Sequence, residues 1–247
     1  MNTYKTAQLA RLVGVHPNTV RLYETLGLIP PADRQPNGYR VFCDFHLEQF
    51  RLAQLGLRVE VLQNGLRKQV IVMIKTAARG QLQEATRLNE EYLQRIWREQ
   101  RHAEAAMQSA EQLLKSSPAP QETCLTRRQA AAVLGVSIDA LRNWEMNGLL
   151  KIKRRANGYR VYAGPDMQRL AIIRSLRCAN YSLAAILRMM AALERNPKAD
   201  LRRVIDTPAA TDEIITACDK LLTSLRAAEQ NARAMQQQLA VLGRLNF

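Results

Sequence analysis

Arg21 and Arg142 stand in matching strings 121 residues apart, among side chains able to hydrogen-bond to bases and phosphates. The first string offers His16, Pro17, Asn18, Thr19 and Arg21; the second offers Ser137, Asp139, Ala140, Arg142 and Asn143. A guanidinium forks onto guanine and an Asn amide onto adenine, each good pair discriminating by about 1–3 kcal/mol. Contacts to phosphate hold register and respond to salt, whereas contacts to base edges carry sequence. This is recognition chemistry rather than bond-breaking chemistry. No Walker motif, G-x-G-x-x-G, H-E-x-x-H or nucleophile elbow occurs. His16, His46 and His102 lie far apart, and Cys43, Cys124, Cys178 and Cys218 form no C-x-x-C. No catalytic residue, cofactor or metal ligand set is expected, and the chain does not read as an enzyme. Cys218 falls on an apolar helical stripe, where a free Cys acts as a small hydrophobe.

Lys and Arg total 36 against 22 Asp and Glu, a net charge of +14 that favours a polyanionic partner, nucleic acid before membrane. Hydrophobic residues make up 47%, enough to bury a core, while 5% aromatics and 11 Gly argue against a β-sandwich or propeller. The longest apolar run, Val70 to Ile74, is far below the ~18 residues of a membrane span. The first residues show no signal-peptide pattern, and scattered Cys suit reduced thiols, so a cytoplasmic protein is expected.

The strings belong to a longer internal repeat. Leu9–Val15 matches Ala130–Val136, and Val20–Ile29 matches Leu141–Leu150, both at offset 121. Asn37-Gly38-Tyr39-Arg40-Val41-Phe42 returns as Asn157-Gly158-Tyr159-Arg160-Val161-Tyr162 at offset 120. Each copy holds two short helices around a Gly turn, Gly14 or Gly135, with a second Gly, Gly27 or Gly148, after the second helix. Gly in these places supplies the left-handed residue that ends a helix. Pro17 suits the first turn of a helix, Thr126-Arg127-Arg128-Gln129 is a capping box, and Ser137 is an N-cap. The Asn-Gly turn with an alternating Tyr-Arg-Val-aromatic strand adds a small hairpin. Helix, tight turn, helix and hairpin make a winged helix-turn-helix unit.

A long helical stretch follows each unit. Ala85, Tyr92, Ile96, Ala103, Ala106, Ala110 and Leu113 form one stripe, interrupted by Asn89 and Glu99. Cys218, Leu221, Leu225, Ala228, Ala232, Met235, Leu239 and Leu242 form a second, in unbroken steps of three and four. Such a seam is that of a coiled coil. Thr207-Pro208 reads as the N-cap and first residue of the second coil. The expected fold is mainly α: two winged helix-turn-helix domains, each followed by a long coiled-coil helix. Its parts are a first winged domain 1–78, a coil 79–115, a linker 116–124, a second winged domain 125–206 and a coil 207–247.

The string Gly14-Val15-x-x-x-Thr19-Val20-Arg21-x-Tyr23-Glu24-x-x-Gly27-Leu28-Ile29, with Gly38-Tyr39-Arg40-Val41-Phe42 after it, resembles the MerR family of bacterial transcription regulators. The second copy keeps Arg142, Trp144, Glu145, Gly148, Leu149 and the Gly158–Tyr162 strand. The resemblance implies that Arg21, Tyr23, Arg142 and Trp144 lie close to DNA, with Trp144 reading equally as a core aromatic. It implies dimerisation through an antiparallel coiled coil, and promoter DNA bent or undertwisted before RNA polymerase. The chain departs from the family in carrying a second unit where members often carry an effector domain. Val20, Leu22, Leu26, Leu141 and Leu149 read as core. Glu24 and Glu145 read as partners of a nearby Arg, Tyr39 and Tyr159 as packing the wing, and Arg40 and Arg160 as pointing to the DNA backbone.

The function expected is a sequence-specific, double-stranded-DNA-binding transcription regulator acting at promoters by DNA distortion. Its rivals are an architectural nucleoid or recombination factor, and a ligand sensor with a pocket near Tyr181, Met189, Met190 and Leu193 at the junction of coil and winged domain. No membrane partner is expected. Two arrangements are open: a homodimer through the coil, or an intramolecular pseudo-dimer. Between Lys5 and Arg51 six basic residues face four acidic ones; between Arg127 and Arg174 ten face three. Half of the net charge thus sits on the second unit, mostly at Lys151, Lys153, Arg154 and Arg155, which are read as phosphate contacts.

Overall fold

Glycine and capping chemistry cut the chain into its elements. The computed structural model describes residues 2–58, 65–116, 124–150, 152, 160–196, 199–208 and 217–245. Helices α1 (Thr6–Leu12) and α2 (Pro17–Thr25) meet at Gly14, and α2 stops at Gly27; both glycines take the left-handed conformation, φ 69° and 67°. Strand β3 (Arg40–Cys43) lies between β1 (Thr3–Tyr4) and β2 (Asp33–Arg34), antiparallel to both, with Tyr4 opposite Phe42 and Asp33 opposite Val41. Leu9, Ala10, Val20, Ile29, Phe42, Leu47 and Phe50 fill the core beneath the helix pair and wing. Helices α3 (Asp44–Leu57), α4 (Leu66–Ala78) and α5 (Leu82–Lys115) follow. The buried Gln49 amide on α3 donates to Leu28 O and Ile74 O, both at 2.9 Å, tying the exit of α2 to α4.

The second copy repeats this plan. Helices α6 (Arg127–Leu134) and α7 (Ile138–Met146) flank Gly135, which has φ 62°. Thr126 and Gln129 form the capping box, and Ser137 Oγ accepts from Ala140 N at 3.0 Å, as their sequence positions predict. Leu125 and Tyr162 form an antiparallel bridge, the counterpart of the Tyr4 and Phe42 pairing. Helices α8 (Gly164–Cys178), α9 (Leu183–Arg195) and α10 (Leu201–Ile205) complete the winged part. Arg169 on α8 stands where Gln49 stands on α3, and its Nε donates to Leu149 O at 2.8 Å. A 3-10 turn (Ala217–Lys220) leads into α11 (Leu221–Leu242). The fold is mainly α, with a three-stranded sheet the only one among the described residues. Among those residues no helix is long and apolar enough to cross a membrane.

The chain forms two compact units that cut both long helices: Met1–Arg98 with Leu225–Phe247, and Glu99–Ser224. In the first unit, Ala85, Tyr92 and Ile96 of α5 and Ala228, Ala232, Met235, Leu239 and Leu242 of α11 are buried. Asn89, an interruption of the stripe by sequence, is buried too, and its Nδ2 donates to Ala232 O at 3.0 Å. Gly56 of α3 lies close to α11: a Cβ there would come within 3.2 Å of Met235 Sδ. Gln238 of α11 donates to Glu48 O of α3 at 3.0 Å. In the second unit, Ala103, Ala106 and Ala110 of α5 are buried, and Gln168 of α8 donates to Leu113 O and to Ser116 O, the latter at 2.7 Å. Every residue of the second predicted seam, Cys218 included, is buried.

One expectation about the core is corrected. Leu22 and Leu26 are not core residues; they are 52% and 47% exposed, on the outer face of α2, because Val20 and Tyr23 take the inner one. The expected cap at Thr207-Pro208 leads into residues 209–216, which lie outside those described; the described long helix runs from Leu221.

Candidate nucleic-acid interface

The outer face of α2 is set by its inner one. Val20 enters the core, and the Tyr23 ring stacks on Phe50 with centroids 4.5 Å apart. This leaves Asn18, Arg21, Leu22 and Thr25 exposed, with Thr19 half-buried. His16 is spent as the N-cap: its Nδ1 accepts from Asn18 N at 3.2 Å. Arg21 Nη1 donates to Asn18 Oδ1 at 3.2 Å, which orients the two candidate base-reading groups together. Burial holds the Tyr23 phenol above its usual pKa.

The wing is tied to this helix by one carboxylate. Glu24 accepts from Arg40 Nε at 2.6 Å and from Ala32 N at 3.1 Å. The expectation that Glu24 pairs with an Arg is met. Tyr39, expected to pack the wing, is instead 68% exposed, and Arg40, expected to point to the DNA backbone, pairs with Glu24 and locks the wing. A guanidinium reaches a carboxylate across the hairpin, whereas the Asn37-Gly38 turn leaves the Tyr39 ring without a surface to cover. His46, buried beneath Phe42, donates from Nε2 to Pro31 O, and desolvation holds its pKa below the ordinary value.

The second unit builds the same junction more heavily. Glu145 is 5% exposed and pairs with Arg127 at 2.7 Å and Arg160 at 2.9 Å, while the Tyr162 hydroxyl also donates to it. Its hydrogen bond raises the Arg127 pKa. Arg127 and Tyr162 stand where the first copy has Thr6 and Phe42, so sequence reasoning did not single them out; only the aligned repeat could have done so. Ser137, Asp139, Arg142 and Asn143 are exposed on α7, and Ile138, not among the expected contacts, is 46% exposed beside them. Ser137 serves as the cap, and Asn143 O and Oδ1 accept from Asn147 at 2.8 and 2.6 Å. Trp144 is corrected to a core aromatic: it is 6% exposed, because its place on the helix faces inward with Leu141. Lys151, Lys153, Arg154, Arg155 and Tyr159 lie outside the described residues.

Tyr181 and Met189 are fully buried and Met190 nearly so, which makes them core. Met190 and Leu193 also border an open groove of about 260 Å³ with Leu114 and Gln168. Among the described residues no group of three or more His, Cys, Asp or Glu is placed to hold a metal ion.

Comparison with known proteins agrees with this geometry. The family described as "MerR family regulatory protein" matches residues 5–42, and "MerR HTH family regulatory protein" matches residues 125–193. A "Probable heavy metal-dependent transcriptional regulator" of Haemophilus influenzae is 39% identical over 77 residues, 31% of this chain and 59% of its own length. A "Mercuric resistance operon regulatory protein" of Bacillus cereus is 35% identical over 57 residues, 22% of this chain and 43% of its own length. The chain thus spans about half the length of these curated relatives. No solved structure gives a significant match.

Proposed function

Since the chain belongs to the MerR family and carries two tandem MerR-type units, we propose that it is a double-stranded-DNA-binding transcription regulator in which one chain supplies both readers. The observation that carries the single-chain reading is reciprocal support. The first reader rests on α11, through Gln238 and Glu48; the second rests on the far half of α5, through Gln168 and Leu113. Glu48 and Gln168 occupy the same position of the two repeats, at offset 120. In the antiparallel dimers that the family resemblance implies, a second chain would supply the supporting helix. Here each copy's coil serves the other copy's reader, making an intramolecular pseudo-dimer rather than a homodimer.

On this reading α2 and α7 each enter a major groove, the standard placement of recognition helices. Arg21, Asn18, Arg142 and Asn143 face base edges, and the basic run at Lys151–Arg155 neutralises phosphates. The duplex is bent or undertwisted between the readers, changing how RNA polymerase meets the promoter. Distortion of this kind costs several kcal/mol, offset by the contacts it allows.

Genome-wide occupancy mapping with transcript levels in a deletion strain tests the function. A few promoter sites with changed transcripts support regulation. Broad coverage without transcript changes overturns it in favour of an architectural factor.

A further inference from the structure

We propose that Asn18 and Asp139 make the two half-sites of the operator unlike, Asn18 selecting adenine and Asp139 selecting cytosine. This rests on the reading of both units as DNA readers. The two residues hold the same position of the repeat, at offset 121, and both are exposed in the first turn of their helices. In each helix the preceding polar side chain is consumed by capping, His16 at Asn18 N and Ser137 at Ala140 N. Positions 18 and 139 are therefore the first polar side chains after the cap on each exposed face.

Their chemistry differs by one exchange of donor for acceptor. An amide donates and accepts, matching the N7 acceptor and N6 amino group that adenine presents side by side. Arg21 donates to the Asn18 oxygen at 3.2 Å, which fixes the plane of the amide; the oxygen's second lone pair remains to accept from the adenine amino group while the nitrogen donates to N7. A carboxylate only accepts. Cytosine offers its N4 amino group with no acceptor beside it on the same base edge, whereas adenine sets N7 next to its amino group and repels the second carboxylate oxygen. Any base without the amino group leaves a desolvated carboxylate unpaired, so the penalty for a wrong base is steep at this position. The carboxylate is tolerable near phosphates because its unit carries ten basic residues against three acidic ones, Arg142 among them one turn along α7.

A purely structural role for Asp139 is distinguishable. An acidic residue in the first turn stabilises the helix dipole, and removing it then changes stability without changing sequence preference. The test is selection of bound sites from a random duplex pool by the full chain, followed by equilibrium binding to the selected duplexes. Wild type should enrich an unsymmetrical site. Asp139→Asn should shift one half-site position from C toward A, with a roughly tenfold fall in that preference. Asn18→Asp should produce the reciprocal shift in the other half and serves if the first variant does not fold. Folded variants with an unchanged consensus overturn this inference and leave the DNA-binding reading standing. No enrichment of any sequence by wild type overturns the DNA-binding reading itself.

Discussion

Glu145 carries two guanidiniums and a phenol on one buried carboxylate, while Glu24 carries one guanidinium and a backbone N–H. Removing the charge from a buried pair leaves its partners uncompensated. The partners here are 26% and 37% exposed, so water recovers part of that loss. Glu145→Gln should lower stability by about 2 kcal/mol and Glu24→Gln by about 1 kcal/mol in urea unfolding. Equal losses would argue against the unequal weight assigned to the two junctions. His46 supplies a pH signature. Burial depresses its folded-state pKa below the ordinary value of 6.5, the nearby Asp33 and Glu24 carboxylates only partly opposing this. The unfolded chain then binds the proton first, so stability should fall as pH drops below about 6.5 toward the depressed value. His46→Gln should flatten that slope in thermal unfolding across the same window. Much at this scale was legible in advance: the Gly turns, the capping box, the Ser137 cap and the carboxylate–Arg pairs are local chemistry. Trp144, Leu22, Leu26, Tyr39 and Arg40 were not, because facing depends on which side chains the rest of the unit packs against.

At the scale of elements, α3 and α11 meet where a side chain is missing. A Cβ on Gly56 would lie 2.7 Å from Val70 Cγ1 and Ile74 Cδ1. Gly56→Ala should therefore cost about 1–3 kcal/mol by forcing α4 and α11 outward, measured as a fall in thermal midpoint. An unchanged or raised midpoint would mean that the contact yields freely. Asn89 predicts a different outcome. Its amide reaches Ala232 O, but its Oδ1 has no hydrogen-bond partner among the described residues, so the buried polar group stabilises little on balance. Asn89→Leu should leave the thermal midpoint unchanged or raise it, while loosening the register of α5 against α11, as removal of a lone buried Asn does in coiled coils. A large fall in midpoint would contradict this. Both apolar stripes were legible as seams from spacing alone. Their partition was not, since spacing identifies an apolar face without naming the helix that covers it.

For the whole molecule, the repeat announces two readers and the charge distribution makes them unequal. Replacing Lys151, Lys153, Arg154 and Arg155 with Gln should weaken binding and flatten its salt dependence by about four units of slope. Replacing Lys5, Arg11 and Arg34 of the first unit should change the slope less. Equal changes would mean that the charge excess is diffuse. The reciprocal use of α5 and α11 joins residues as far apart as Glu48 and Gln238, and no local pattern encodes that pairing. The claim that one chain is a complete reader is tested most directly by the mass of its complex with a selected duplex, measured by sedimentation equilibrium at micromolar concentration. The account predicts one 28.0 kDa chain per duplex, and a free protein of the same mass. Two chains per duplex, or a free protein that stays dimeric on dilution, would contradict it.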